Sequence, residues 1–226
     1  LELDPDTFYE KLVQASRLPT TSQPSPVDFL EVYKRLNETE DTAIISIHLS
    51  SALSGTYQSA VLAKSMLEEK ADITIIDGKT ASYGTGMLVI AAAEAARKGK
   101  SKEEIIELIH TMRKQTRLYF LVDTLEYLHK GGRIGKASAV FGSLLNIKPI
   151  LSIDDEGEVY AVDRIRGHKR AMQRIIELLK RDYDNTEVNA YMAYADNKKY
   201  AEELGALVRE NLHIKHYDYA RIGSVI

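Results

Sequence analysis

The chain has 226 residues, which at about 150 residues per domain means one large domain or two small ones. Apolar residues make up 44% and charged residues 28%, so a disordered or collagen-like chain is excluded, and folding at this length hides roughly 70% of the unfolded surface. A net charge of −3 gives no general attraction to nucleic acid or an anionic membrane, and the absence of cysteine excludes disulfides, thiolate-bound zinc, iron–sulfur clusters and thiol catalysis.

Strands alternate with helices along the chain. Asp4 before Pro5 is an N-cap with proline at the first helical position, predicting a helix to about residue 15. Residues 17–24 read as a loop. Ser25-Pro26 repeats the device and opens a helix to about residue 36. Residues 42–49 are β-rich and almost continuously apolar, as in a strand buried on both faces. A helix follows over 55–69, then a short strand over 73–76 ended by Asp77-Gly78. Residues 83–98 form an Ala-rich helix stopped at Gly99. Ser101 with Glu104 is a capping box opening a helix to about residue 114. A strand over 118–122 and a short helix over 124–130 precede Gly131-Gly132. Residues 147–153 and 159–165 flank the turn Asp154-Asp155-Glu156-Gly157 and read as an antiparallel hairpin. A helix over 168–181, a strand over 188–194, a helix over 198–211 and short strands over 214–217 and 222–226 complete the chain. The order predicts α/β architecture with mostly parallel sheets.

The longest apolar run, residues 87–93, is far short of a membrane span. Leu1 is not an initiator, so the chain is expected to start inside a longer product, with no signal peptide before it. A reducing cytoplasm fits the lack of cysteine.

Four segments could carry chemistry. In I-I-S-I-H-L-S-S-A-L-S-G-T-Y-Q-S (44–59), a buried strand runs into a hydroxyl-rich loop, a glycine and a helix. A helix N-terminus offers unpaired N–H groups and positive potential, and Ser50, Ser51, Ser54 and Thr56 add hydroxyls, so phosphate or carboxylate would fit. Equally, Ser54 could simply cap the helix. T-T-S-Q-P-S (20–25) puts hydroxyls between two helices, which is also ordinary turn chemistry. L-H-K-G-G-R-I-G-K (128–136) presents Arg133 in a stretch poor in acids, either as an anion partner or as a solvated side chain beyond a helix end. Arg164, Arg166, His168, Lys169 and Arg170 crowd cations at a helix start, against the macrodipole, unless an anion, a partner or nearby Asp154, Asp155 or Glu158 compensates. G-x-S-x-G, P-loop and dinucleotide fingerprints are absent.

Taken in order, T-S-Q-P-S, I-S-I-H-L-S-S-A-L-S-G-T-Y-Q-S-A, Y-L-H-K-G-G-R-I-G-K and L-N-I-K-P-I-L-S-I-D-D-E-G resemble the DegV family of bacterial fatty-acid-binding proteins over nearly the whole chain. The resemblance implies a two-lobed α/β fold with mostly parallel sheets flanked by helices and one β-hairpin, divided at 1–78 and 79–226. It implies a long-chain fatty acid held between the lobes, no other cofactor and no metal. It implies a carrier rather than an enzyme, whose partner is a separate kinase that phosphorylates the bound carboxylate for phospholipid synthesis. By motif, Thr21 and Ser54 would hold the carboxylate, with Ser22, Ser51, Gly55 and Thr56 supporting the head-group loop. Arg166 matches the arginine near the kinase-facing end, and Arg133 belongs to the G-G-R-I motif. Nucleic acid is not an expected partner, and membrane contact is at most transient. The family's N-terminal V-T-D-S-like strand and C-terminal His-Thr-Gly-rich loop have no counterpart here, so the sequence is expected to be a fragment. Two other readings stand beside this one. The first is an enzyme acting on a small phosphorylated or carboxylated metabolite through the Ser-rich loop and Arg133, with His48 as the nearest acid–base group. The second is a regulatory module using the basic 164–170 surface.

Overall fold

The computed structural model describes residues 3–38, 42–67, 71–142 and 147–224. Its elements are α1 (Pro5–Gln14), α2 (Pro26–Leu36), β1 (Ala43–His48), α3 (Thr56–Ser65), β2 (Asp72–Asp77), α4 (Tyr83–Arg97), α5 (Lys102–Gln115), β3 (Phe120–Leu121), α6 (Glu126–Lys130), a 3₁₀ helix (Gly135–Val140), β4 (Ile147–Ile153), β5 (Val159–Arg166), α7 (His168–Tyr183), β6 (Val188–Tyr194), α8 (Lys198–Asn211) and β7 (Ile214–Arg221).

Local chemistry sets the helix starts. Asp4 accepts from the Thr7 amide, and Ser25 and Ser101 form reciprocal capping boxes with Asp28 and Glu104. β1 and β2 pair in parallel. Ile44, Ile73 and Ile75 face α2 and α3, where Tyr33, Ala60 and Ala63 are buried. Ile45, Ile47 and Ile76 face α4 and α5, against Leu88, Ala92, Ile105 and Ile109. Helices cover both faces, which is why the strands read as continuous apolar runs. This second cluster runs across the expected 78/79 division and joins α4 and α5 to the first sheet.

β3, β4 and β5 form an antiparallel sheet with the expected hairpin. Phe120, Val122, Leu151, Ile153, Val159 and Ala161 face one core with Leu125, Ile134, Ala137 and Val140. Tyr119, Leu121, Ile150, Val162 and Ile165 face the other, against Ala171, Ile175 and Leu178 of α7. A bulge pairs Ile150 with Asp163 and Leu151 with Ala161, leaving Val162 as the extra residue that switches faces.

β6 and β7 form a second parallel pair, so parallel pairing holds in two sheets and antiparallel pairing in the third. Three elements differ from expectation. The strand expected over 118–122 pairs only at Phe120–Leu121, although its side chains alternate between the two cores. The 3₁₀ helix was not expected. The two final strands expected over 214–217 and 222–226 are replaced by one β7, because after a register shift at Lys215 β6 pairs with it from His216 to Arg221; residues 225–226 and the 68–69 end of the expected third helix lie outside the described residues. The Tyr9 hydroxyl donates to the carbonyls of Ile222 and Gly223 at 3.2 and 3.3 Å, and Asp6 pairs with Arg221, fastening α1 to the end of β7.

Candidate binding site at the Ser-rich loop

The loop after β1 folds back on itself before α3 begins. Leu53 and Ser54 donate their amides to the Ser50 carbonyl at 3.0 and 3.1 Å. Ser54 and Thr56 hydroxyls lie 2.8 Å apart, and the Thr56 amide donates to Ser54 Oγ at 3.3 Å. Gly55 is the N-cap of α3 and has no side chain to satisfy the first amides. Its missing Cβ matters: an added Cβ would sit 1.9 Å from Gln23 Oε1. The Gln23 amide lies in that space and donates to Ser59 Oγ at 3.2 Å. The 20–25 segment is thereby fastened to the start of α3. Thr21 is two residues from Gln23, a span of at most about 7 Å. Thr21 and Ser22 are exposed, and their hydroxyls have no hydrogen-bond partner among the described residues. The structure therefore brings the two hydroxyl-bearing segments to one helix start.

Not every loop hydroxyl is available there. Ser51, expected to support the head group, donates its hydroxyl to Asp77 Oδ2 at 2.5 Å and its amide to Oδ1 at 3.2 Å. Asp77 also accepts from the Lys79 amide at 3.0 Å, and Lys79 Nζ lies 3.0 Å from Oδ2. Burial pushes the Asp77 carboxyl up, but the bonds from Ser51 and Lys79 outweigh it and hold the group below 3.8. Ser50 is fully buried and donates to the Gly157 carbonyl at 2.8 Å. Neither contact is legible in the sequence, which shows Asp77-Gly78 only as the end of a strand and Asp154–Gly157 only as a hairpin turn.

Arg133 reaches the same loop: its Nε donates to the Leu53 carbonyl at 3.0 Å and Nη1 to the Gly131 carbonyl at 2.5 Å. Arg166 does not join it. It ends β5, paired with Ile147, while the 154–157 turn that covers Ser50 lies at the other end of that strand, about 23 Å away from Val159 to Arg166 at about 3.3 Å per residue. Arg164, Arg166, Lys169 and Arg170 are exposed and have no ion-pair partner among the described residues. Two of the acids considered for them, Asp154 and Glu158, are held elsewhere, 2.5 and 3.9 Å from Lys136.

His48 is hydrogen-bonded to Ser46 rather than to Ser54. Its Nε2 lies 2.7 Å from Ser46 Oγ, which is 2.7 Å from the Tyr33 hydroxyl, and Phe29 meets its ring edge-on. Burial holds its pKa below 6.5, against the opposing pull of Asp77. The unfolded chain binds a proton at about pH 6.5 while the folded one resists, so His48 adds stability above that pH that is lost as pH falls below it. Urea midpoints of the wild type should therefore drop between about pH 7 and 5 more steeply than those of His48→Gln; parallel slopes would show that this imidazole is not responsible. The Asp77 contribution is separate in pH, being lost only as pH falls from about 3.8 through its lower folded value.

Among the described residues no three metal-binding side chains cluster, and no helix is long and apolar enough to cross a membrane.

This is a mixed α/β protein with a hydroxyl-lined helix start beside a loop clasped by a hairpin turn. Residues 1–226 match the profile of a family described as uncharacterised proteins, DegV family. The chain belongs to the DegV family. It is 37% identical over 229 aligned residues to a DegV domain-containing protein of Caldanaerobacter subterraneus subsp. tengcongensis, covering 100% of this chain and 80% of that protein. Among solved structures it is similar to a DegV family protein from Thermus thermophilus described by its fatty acid binding, with 35% identity, TM-score 0.88 and coverage of 97% and 78% of the two chains. It is also similar to DegV, a fatty acid binding protein from Bacillus subtilis, with 36% identity, TM-score 0.82 and coverage of 96% and 78%.

Proposed function

We propose that this chain binds a long-chain fatty acid and presents its carboxylate to a separate kinase, which converts it to an acyl phosphate. The observation that carries the reading is Gln23 lying over Gly55, which unites the Thr21 segment with Ser54 at the start of α3. Thr21 and Ser54 would donate to the carboxylate, with Ser22, Thr56 and the first-turn amides of α3 beside them. Donors of this kind satisfy carboxylate oxygens without a fully buried ion pair. The fatty acid binding of the Thermus thermophilus and Bacillus subtilis relatives supports the same ligand class. The acyl chain supplies the gross affinity: about fourteen methylenes at about 0.8 kcal/mol each give roughly 11 kcal/mol before ordering costs.

In this proposal the chain has two lobes, the first running through α5 because α4 and α5 share a core with β2. Arg166, with Arg164, Lys169 and Arg170, lies far along β5 from Ser50 and would face the kinase rather than the carboxylate. The protein would act in the cytoplasm as a carrier. The rival metabolite enzyme is less favoured, since Ser54 is hydrogen-bonded to Thr56 and His48 to Ser46, so no base among the described residues is bonded to the serine.

Thr21→Ala and Ser54→Ala should each weaken palmitate binding by about 1–2 kcal/mol while leaving the fold intact. Calorimetry on the full chain checks this, and unchanged affinity in both variants would reject the head-group assignment. Mass spectrometry of lipid extracted from the purified protein should find a fatty acid. Steady phosphorylation of palmitate by the chain alone would overturn the carrier role.

A further inference from the structure

We propose that Arg133 is a positioning residue that sets the Ser54 hydroxyl by gripping the peptide group in front of it; this rests on Ser54 being a head-group donor. Arg133 stands in the turn after α6, 79 residues beyond Ser54. Its Nε donates to the Leu53 carbonyl, the oxygen of the peptide bond joining Leu53 to Ser54. A second donor, Nη1, reaches the Gly131 carbonyl and fixes the guanidinium plane from the other side. A planar fork with two of its edges tied to backbone oxygens has little rotational freedom left, which suits it to locating a peptide group. No carboxylate among the described residues pairs with it, so its contacts in the structure are both to backbone carbonyls.

The rest of the loop is held from the same side. Leu53 packs against the cluster of Leu125, Ile134, Val140, Leu151 and Val159. Ser50, three residues before Leu53, is fixed under the Gly157 carbonyl. Arg133 is followed directly by Ile134, a buried member of that cluster, so the guanidinium is launched from the packed surface that receives Leu53. Three contacts of different kinds thus locate the five residues 50–54 before Gly55. Of these, the Arg133 bond is nearest in sequence to Ser54 and needs no change of fold to remove, because the side chain is exposed.

Arg133 therefore acts on the ligand through Ser54, and its effect should vanish when the serine hydroxyl is gone. The test is a double-mutant cycle on the full chain with palmitate, using Arg133→Ala and Ser54→Ala. Arg133→Ala should weaken binding about three- to tenfold when Ser54 is present and less than about twofold in the Ser54→Ala background. Arg133→Lys, which keeps the charge but not the planar fork, should resemble Arg133→Ala. Equal loss in both backgrounds, or full affinity in Arg133→Lys, would overturn the proposal in favour of direct attraction between the charge and the carboxylate. No loss at all would also overturn it. The ligand-free readout is amide hydrogen exchange at Ser54 and Thr56, which should quicken in Arg133→Ala while exchange in α7 stays unchanged; unchanged exchange at the loop would overturn the positioning role whatever the ligand. If Ser54→Ala alone leaves palmitate affinity intact, the head-group reading fails, and the exchange result still reports on Arg133.

Discussion

Replacing Gly157 with valine is expected to destabilise the protein by about 3–8 kcal/mol, through a backbone penalty of about 1–2 kcal/mol, overpacking of about 1–3 kcal/mol and a lost buried hydrogen bond of about 1–3 kcal/mol. Gly157 has φ +88, a conformation that L side chains rarely adopt and β-branched ones least. A Cβ there would lie 2.0 Å from Ser50 Oγ, 3.0 Å from Ser50 Cβ and 3.1 Å from Lys79 Cδ. The wall is not a flexible surface chain: Ser50 is fully buried, and its amide donates to the Thr80 carbonyl at 2.7 Å. Pushing the turn away strips Ser50 Oγ of its acceptor on Gly157 and separates Lys79 from the Glu156 carbonyl, now 3.1 Å away. Urea unfolding of the variant measures the loss. Adding Ser50→Gly should recover the steric part and leave the φ penalty, so the double variant should lie between valine and wild type. A valine variant as stable as wild type would show that the turn does not rest on Ser50 in solution.

That contact illustrates which parts of this molecule its sequence announces. Asp4, Ser25 and Ser101 marked helix starts because an N-cap acts within three residues, a distance that spacing reveals. The continuous apolar runs of β1 and β2 announced strands covered on both faces, and Asp154–Gly157 announced a hairpin, for the same local reason. The site is different. Gln23 meets Ser59 across 36 residues, Ser50 meets Gly157 across 107, and Arg133 meets Leu53 across 80. Each is a polar contact made by tertiary folding, and nothing in the spacing of serines or glycines specifies its partner. The hydroxyl count in the 50–56 loop therefore overstated the free donors: Ser51 serves Asp77 and Ser50 serves the hairpin turn. The 3₁₀ helix at Gly135–Val140 leaves no mark in the sequence because a short run bearing two small alanines has no amphipathic period. In β7 Asp218 interrupts the apolar pattern, but alternation puts that side chain on the exposed face while Tyr217 and Tyr219 are half-buried.

Truncating Leu151 and Ile150 to alanine separates stability from binding. The two residues are adjacent in β4, both fully buried, and point to opposite faces of the sheet. Each substitution should cost about 2–5 kcal/mol, the sum of lost transfer energy and an unfilled cavity. Ile150 packs toward Ala171, Ile175 and Leu178 of α7, so its loss loosens the sheet against that helix. Leu151 shares its cluster with Leu53, so its loss opens space beneath the residue that precedes Ser54. Palmitate affinity, measured by calorimetry well below the melting temperature of both variants, should fall severalfold in Leu151→Ala and stay near wild type in Ile150→Ala. Equal loss of affinity in the two would mean that binding follows global stability. Unchanged affinity in Leu151→Ala would mean that the loop does not depend on the core beneath it. The asymmetry follows from the pleat alone, because neighbouring residues of one strand serve different faces, and only one of these faces carries the Ser-rich loop.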